Sequence, residues 1–277
     1  MLIGFGELLE ERRAGGAAAG AFTCYTLTTA VGVLRAAEAE RAPVILLVSE
    51  ASYAAPEGPL LLAAIRAAAE RAMALACVQL DHVADRATIA RALADGAGAI
   101  MADGSHLAYE ANAALVRDAR ALAKGGAGVE AELGHIKGGE DVAAAVGAGK
   151  LTDPAEAARF VEETGADCLA VSIGNVHGHY AAPPLLDWPR LERIRELVDV
   201  PLSLHGASGL PDADLRRAVA AGICKVNVNT ELRARLFAEL ERRVPQTAPG
   251  LRLLELESAL ADAVAEVAAE KLRLLAR

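Results

Sequence analysis

Residues 153–178 read DPAEAARFVEETGADCLAVSIGNVHG and hold a helix, a stop, a strand and a polar tip in that order. Asp153 suits a helix N-cap, Pro154 the first helical position, where a missing N–H is no loss, and Glu156 the capping-box position. Gly165 supplies the stop. The following run 167–173 (DCLAVSI) is too short for a further helix, is apolar and partly β-branched, and reads as a buried strand. It gives way to Gly174-Asn175-Val176-His177-Gly178, a segment that can continue neither element.

Outward from this unit the same alternation recurs. Strands are expected near 18–22 (AAGAF), 43–48 (PVILLV), 75–80 (LACVQL), 97–102 (AGAIMA), 128–133 (GVEAEL), 167–173, 200–204 (VPLSL) and 222–228 (GICKVNV). Amphipathic helices are expected over 86–95, 107–124, 155–164, 187–198 and 211–220, the last bracketed by Pro211-Asp212 and Gly222. Residues from about 230 to 277 read as two closing helices. Eight alternating units with no dividing linker predict an α/β protein. We expect a single (β/α)8 TIM barrel over residues 1–277 with extra C-terminal helices, rather than an open sheet.

The composition agrees. With 277 residues, 53% of them hydrophobic but only 3% aromatic, the core must be filled by Ala, Leu, Val and Ile, which suits parallel strands covered on both faces. A net charge of −9 without a basic cluster argues against nucleic acid or an anionic membrane as partner. Four dispersed cysteines with no C-x-x-C pair suit a reducing compartment. No apolar run reaches the roughly 18 residues of a membrane span, and Glu stands where a signal peptide would be basic. The expectation is a cytoplasmic protein.

In such a barrel chemistry gathers at the C-terminal ends of the strands. Polar residues are expected there: Ser49-Glu50, Asp81-His82, Asp103 to His106, Glu130 and Glu132, Asn175 to Gly178, His205 to Gly209, and Asn227 to Thr230. Three of the six histidines, His82, His177 and His205, each follow a different expected strand. One imidazole alone reads as a hydrogen-bonded rim residue. Three converging on one mouth are what a catalytic zinc needs, with a fourth position open. His106, His135 and His179 read as rim or loop residues.

Asp81 is either a general acid or base or a partner that orients an imidazole. The small residues and hydroxyls of GASG (206–209) and NVNT (227–230) suit a phosphate cradle, though two ordinary βα turns would use them too. The glycine-rich stretch 134–150 is long for a βα connection and carries Glu140 and Asp141. It reads as a mobile lid or as a solvated surface loop.

Seven stretches together resemble the successive motifs of class II, zinc-dependent fructose- and tagatose-bisphosphate aldolases. They are PVILLVSE (43–50), QLDH (79–82), MADGSHLAYEAN (101–112), GVEAELG (128–134) with GGED (138–141), LTDPAEAARFVEETGADCLAVSIGNVHGHY (151–180), VPLSLHGASGLPD (200–212) and GICKVNVNTELR (222–233). The resemblance implies that His82, His177 and His205 bind Zn2+ or another divalent metal, with Glu132 as an alternative ligand. It implies Asp81 as the acid on the aldehyde oxygen, Glu140 as the base beside the ketone, and Asn227 steadying the enediolate. Gly178, Gly206, Ser208, Asn229 and Thr230 would hold the phosphate of dihydroxyacetone phosphate, with room for a monovalent cation near it, and Ser49 would meet the far end of the substrate.

The activity so implied is reversible cleavage of a phosphorylated ketose to dihydroxyacetone phosphate and an aldehyde, with the metal as Lewis acid. A homodimer or homotetramer is expected. This chain departs from the family pattern where a lysine usually follows Tyr180: residues 181–184 read AAPP. Phe22-Thr23 replaces Phe-Asn and Asn229 replaces an aspartate. In the lid, Asp141 competes with Glu140 as the base. Two other classes stay open: a zinc hydrolase on the same barrel, and a catalytically idle sugar-phosphate-binding protein.

Overall fold

Short, wholly buried apolar segments that alternate with amphipathic helices have one economical arrangement, a parallel sheet wrapped in helices, and the chain adopts its closed form. The computed structural model describes residues 1–124, 126–136, 149–178, 180, 185–247 and 251–276. Eight parallel strands, β1 (Ala19–Thr23), β2 (Val44–Ser49), β3 (Ala76–Val83), β4 (Ala99–Ala102), β5 (Gly128–Leu133), β6 (Cys168–Val171), β7 (Leu202–Leu204) and β8 (Ile223–Val228), follow one another around a closed barrel. Pairing of β1 with β8, Ala19 opposite Lys225 and Ala21 opposite Asn227, completes the ring. This is a (β/α)8 TIM barrel.

The surrounding helices are α1 (Phe5–Gly15), α2 (Leu27–Glu40), α3 (Glu50–Ala54), α4 (Gly58–Arg71), α5 (Arg86–Ala94), α6 (Tyr109–Leu122), α7 (Pro154–Thr164), α8 (Trp188–Leu197), α9 (Asp212–Ala220), α10 (Thr230–Thr247) and α11 (Leu253–Leu275). The expected cap of α7 is present: the Asp153 carboxylate accepts from the backbone N–H groups of Ala155 and Glu156, and Gly165 ends the helix. The two expected closing helices are α10 and α11. Among the described residues no helix is long and apolar enough to cross a membrane. All four cysteines are free and buried.

Alternation along each strand sorts side chains into two apolar shells. The outward set, including Val44, Leu46, Leu80, Ile100 and Val226, packs beneath the helices. The inward set at the N-terminal end, Ala19, Ala21, Ile45, Leu47, Cys77, Ala99 and Cys168, packs on Phe5, Leu8 and Leu9 of α1. Helix α1 thus plugs the barrel floor. A Cβ on Gly128 would lie 2.4 Å from the Phe5 ring, so the absence of a side chain there lets the plug seat.

One strand is irregular. Between β3 and β4 the register runs Leu80 opposite Ile100 and then Val83 opposite Ala102, so β3 holds one residue more than its neighbour. His82 within this bulge has φ of 53°, a left-handed conformation that costs a non-glycine residue about 1–2 kcal/mol.

Candidate metal centre

The bulge decides what the mouth can do. In a regular strand Asp81 and His82 would face opposite sides of the sheet. The extra residue lets both reach the interior. Asp81, paired with Ser49 on β2, accepts from Asn227 Nδ2 at 3.3 Å. His82 meets His205 with Nε2 and Nδ1 3.1 Å apart.

His177, from the loop after β6, completes the set. Ring centroids are 5.1 Å apart for His82 and His177, 4.9 Å for His82 and His205, and 5.9 Å for His177 and His205. One ligand atom from each of the three lies within 4.8 Å of the others. All three expected imidazoles therefore meet.

Two of them are aimed by carboxylates on their far side. His82 Nδ1 stands 2.7 Å from Asp103 Oδ2, and His205 Nε2 stands 3.0 Å from Glu130 Oε1. A carboxylate only accepts, so each contacting ring nitrogen carries the proton and the other nitrogen turns its lone pair inward. Two nitrogens each bound to a tetrahedral zinc would be about 3.3 Å apart, close to the separation of the inward nitrogens. The donor set, three imidazoles without thiolate, suits Zn2+ and its neighbours better than Mg2+ or Ca2+. The residues fit a divalent metal.

Electrostatics agree. Burial lowers the His82 pKa, but the charges of Asp81 and Asp103 outweigh it and lift it well above the ordinary value. Burial, with Lys225 beyond, pushes His205 down to about 3.

Glu132, the expected alternative ligand, lies on the far flank of His82 with Asp103, again within 4.8 Å. Its Oε1 accepts from Ile136 N at 2.9 Å, while its buried Oε2 has no close hydrogen-bond partner among the described residues. Burial and then the Asp103 charge push its pKa up to about 8. A cation moving to that flank would satisfy it.

Beneath the mouth lies a polar layer of which only Glu130 was expected from the sequence. Glu130, Lys225, Gln79 and Ser203 are all fully buried. Glu130 accepts from Gln79 Nε2 at 2.6 Å and Ser203 Oγ at 2.5 Å, and pairs with Lys225 Nζ at 2.8 Å. Burial raises its carboxyl, but Lys225 and then His205 win and hold it well below the ordinary range. The signal was present: Gln79 and Asp81, Glu130 and Glu132, Ser203 and His205, and Lys225 and Asn227 are polar pairs two residues apart in buried strands. Such spacing puts both members on one face.

The expected phosphate residues gather at the ends of β6 to β8. Gly206 has φ of 61°, and a Cβ there would lie 2.0 Å from the Val176 carbonyl oxygen, so no side chain fits. Tyr180 Oη donates to that glycine's carbonyl at 2.8 Å. Ser208 Oγ accepts from Asn229 N at 3.2 Å, and Asn229 Nδ2 donates to Tyr25 Oη at 3.0 Å. Thr230 opens α10, whose N-terminus thus borders this rim. Gly178 also has a positive φ, 88°.

Ser49 sits at the mouth end of β2, where its hydroxyl caps α3 by accepting from Ser52 N at 3.2 Å. The ends of the expected lid are joined, His135 N donating to Lys150 O at 2.7 Å. Glu140 and Asp141 lie outside the described residues.

Residues 4–277 match the family described as Fructose-bisphosphate aldolase class-II. Among solved structures, the YdjI aldolase from Escherichia coli K12 superposes with a TM-score of 0.88 at 32% identity, over 99% of this chain and 97% of that one. A Coccidioides immitis protein provisionally assigned as a fructose-1,6-bisphosphate aldolase gives 0.88 at 31%, over 97% and 94%. Fructose-bisphosphate aldolase from Campylobacter jejuni, at 20% identity, shares the fold with a TM-score of 0.77 over 99% and 95%. These likenesses support an aldolase function, and with the match across nearly the whole chain they establish that the protein belongs to the class-II fructose-bisphosphate aldolase family.

Proposed function

We propose that this chain is a metal-dependent aldolase that reversibly cleaves a phosphorylated ketose to dihydroxyacetone phosphate and an aldehyde. The observation that carries the reading is the meeting of His82, His177 and His205, two of them aimed by buried or partly buried carboxylates, beside Asp81 and Asn227. A divalent cation, zinc by the donor set, supplies Lewis-acid polarisation of the ketone oxygen when bound by these imidazoles.

The protein groups divide the remaining work. Asp81 takes the hydroxyl proton in cleavage and returns it to the aldehyde oxygen in condensation. Asn227 turns its NH2 toward the mouth and donates to the oxyanion that forms beside the ketone carbon. Glu132 is the alternative metal ligand.

Gly178, Gly206, Ser208, Asn229 and Thr230 hold the phosphate through backbone N–H groups, hydroxyls and the N-terminus of α10. A monovalent cation near that phosphate belongs to the same proposal. Ser49 meets the aldehyde end. Glu140, or Asp141 beside it, is the base at the carbon next to the ketone. The substrate is a small sugar phosphate, and the protein works in the cytoplasm as a single-domain homodimer or homotetramer.

The test is exchange of the C3 proton of dihydroxyacetone phosphate into deuterated water by the zinc-loaded protein, with triose phosphate release from ketose phosphates followed by a coupled dehydrogenase. Exchange and release support the reading. No exchange would overturn it, and a hydrolase would release no triose phosphate. Asp81→Ala should keep its metal and lose about 10²-fold or more in the rate of cleavage.

A further inference from the structure

We propose that Lys225 is a positioning residue for the reaction: it fixes which end of the Asn227 amide faces the substrate. The inference rests on the aldolase reading above. Lys225 lies mid-strand in β8, fully buried, two residues before Asn227 and on the same inward face. Its ammonium donates to Asn227 Oδ1 at 2.7 Å and pairs with Glu130 Oε2 at 2.8 Å.

The chemistry of the two groups makes the orientation a requirement. An ammonium has three donors and no acceptor, so the amide must turn its oxygen down toward Lys225. The NH2 is thereby turned up, toward Asp81 Oδ2 at 3.3 Å and His205 Nδ1 at 3.2 Å. An amide flipped about its last bond has almost the same shape, but it would present an oxygen to Asp81 and to any oxyanion at the mouth. Within the barrel, Lys225 is what separates a donor from a repelling dipole.

The same lysine reaches the metal centre by a second route. Glu130, which it neutralises, accepts the Nε2–H of His205 at 3.0 Å. One ion pair between β8 and β5 thus touches both Asn227 and His205, the residue that follows β7. A merely structural role predicts something different: removing one partner of a buried ion pair destabilises the fold, so Tm would fall alike with and without Asn227 while kcat per folded molecule stayed unchanged.

The experiment is a double-mutant cycle on the zinc-loaded protein with Lys225→Met, Asn227→Ala and both together, read by kcat and KM of C3 proton exchange, metal content and Tm. Lys225→Met should lower kcat about 10²-fold, as losing one oxyanion donor does, with KM and metal content changed less than about threefold. Lys225→Gln, which keeps a donor, should recover part of the loss, and it serves in the cycle if the Met variant does not fold. In the Asn227→Ala background Lys225→Met should cost less than about threefold more. A full further loss in that background, unchanged kcat, or metal lost in step with activity would overturn the proposal. A wild type that exchanges no proton would instead overturn the aldolase reading, and this inference with it.

Discussion

At its N-terminal end the barrel holds Ala19, Ile45, Cys77, Ala99 and Cys168 over the Phe5, Leu8 and Leu9 plug. Two and four residues beyond Cys77 on β3 it holds Gln79 and Asp81, and beside them Glu130 and Glu132 of β5 and Asn227 of β8, in place of that apolar packing. Both ends are buried, and their hydrogen-bonding demands differ. The floor asks for shape alone, which Ala, Ile and Phe meet in any orientation that fills space. The mouth needs each polar atom matched to a partner, and the matching leaves imidazole nitrogens directed at one another. The floor supplies stability that the mouth, with its left-handed His82 and its buried charges, does not.

If that division is right, damage at the two ends should read out differently. The largest effect is expected at the floor: Phe5→Ala should destabilise the fold by about 3–5 kcal/mol in urea unfolding while metal content and activity per folded molecule stay constant. Loss of activity at unchanged stability would break the comparison.

At the mouth the order reverses. Asp103→Asn keeps the size of the group that aims His82 and removes its charge, and should weaken metal affinity about 10–100-fold in chelator competition with little change in urea midpoint. Equal affinity would mean that Asp103 does not aim the ring.

A third site, outside both ends, calibrates the comparison. Glu239 on α10 is held by Arg242, Arg243 and Arg235, which take its pKa down to about 2. A folded-state pKa below the ordinary 4.5 means stability that is present above about pH 4.5 and lost as pH falls toward about 2. Glu239→Gln should give the smallest effect, a modest loss at pH 7 that vanishes by about pH 2, with no change in metal binding. A gap between the two proteins that persists at pH 2 would contradict it.

The barrel was legible because its signals are local. Short β-branched runs, the Asp153-Pro154 start and the Gly165 stop of α7 each act within a few residues, and the observed strands fall within one or two residues of most expected positions. Helix α1 was not anticipated, although Phe5, Leu8 and Leu9 have helical spacing. Its role as a plug depends on the whole ring being closed.

The histidine cluster of the candidate site was legible, since three imidazoles at the ends of three expected strands are rare enough to be informative. Its support was not. Lys225 and Glu130 lie inside segments that read as ordinary strands, and only the register of the closed sheet brings them together. The bulge at Asp81 and His82 left no local mark, and it is what lets both side chains reach the interior.

The proposed chemistry requires His82, His177 and His205 to share one ion. Metal content per chain, measured by mass spectrometry on the wild type and on His82→Ala, His177→Ala and His205→Ala after identical zinc loading and dialysis, tests it most directly. About one zinc per wild-type chain is expected, and its loss from each variant. Full occupancy in all three variants would contradict it.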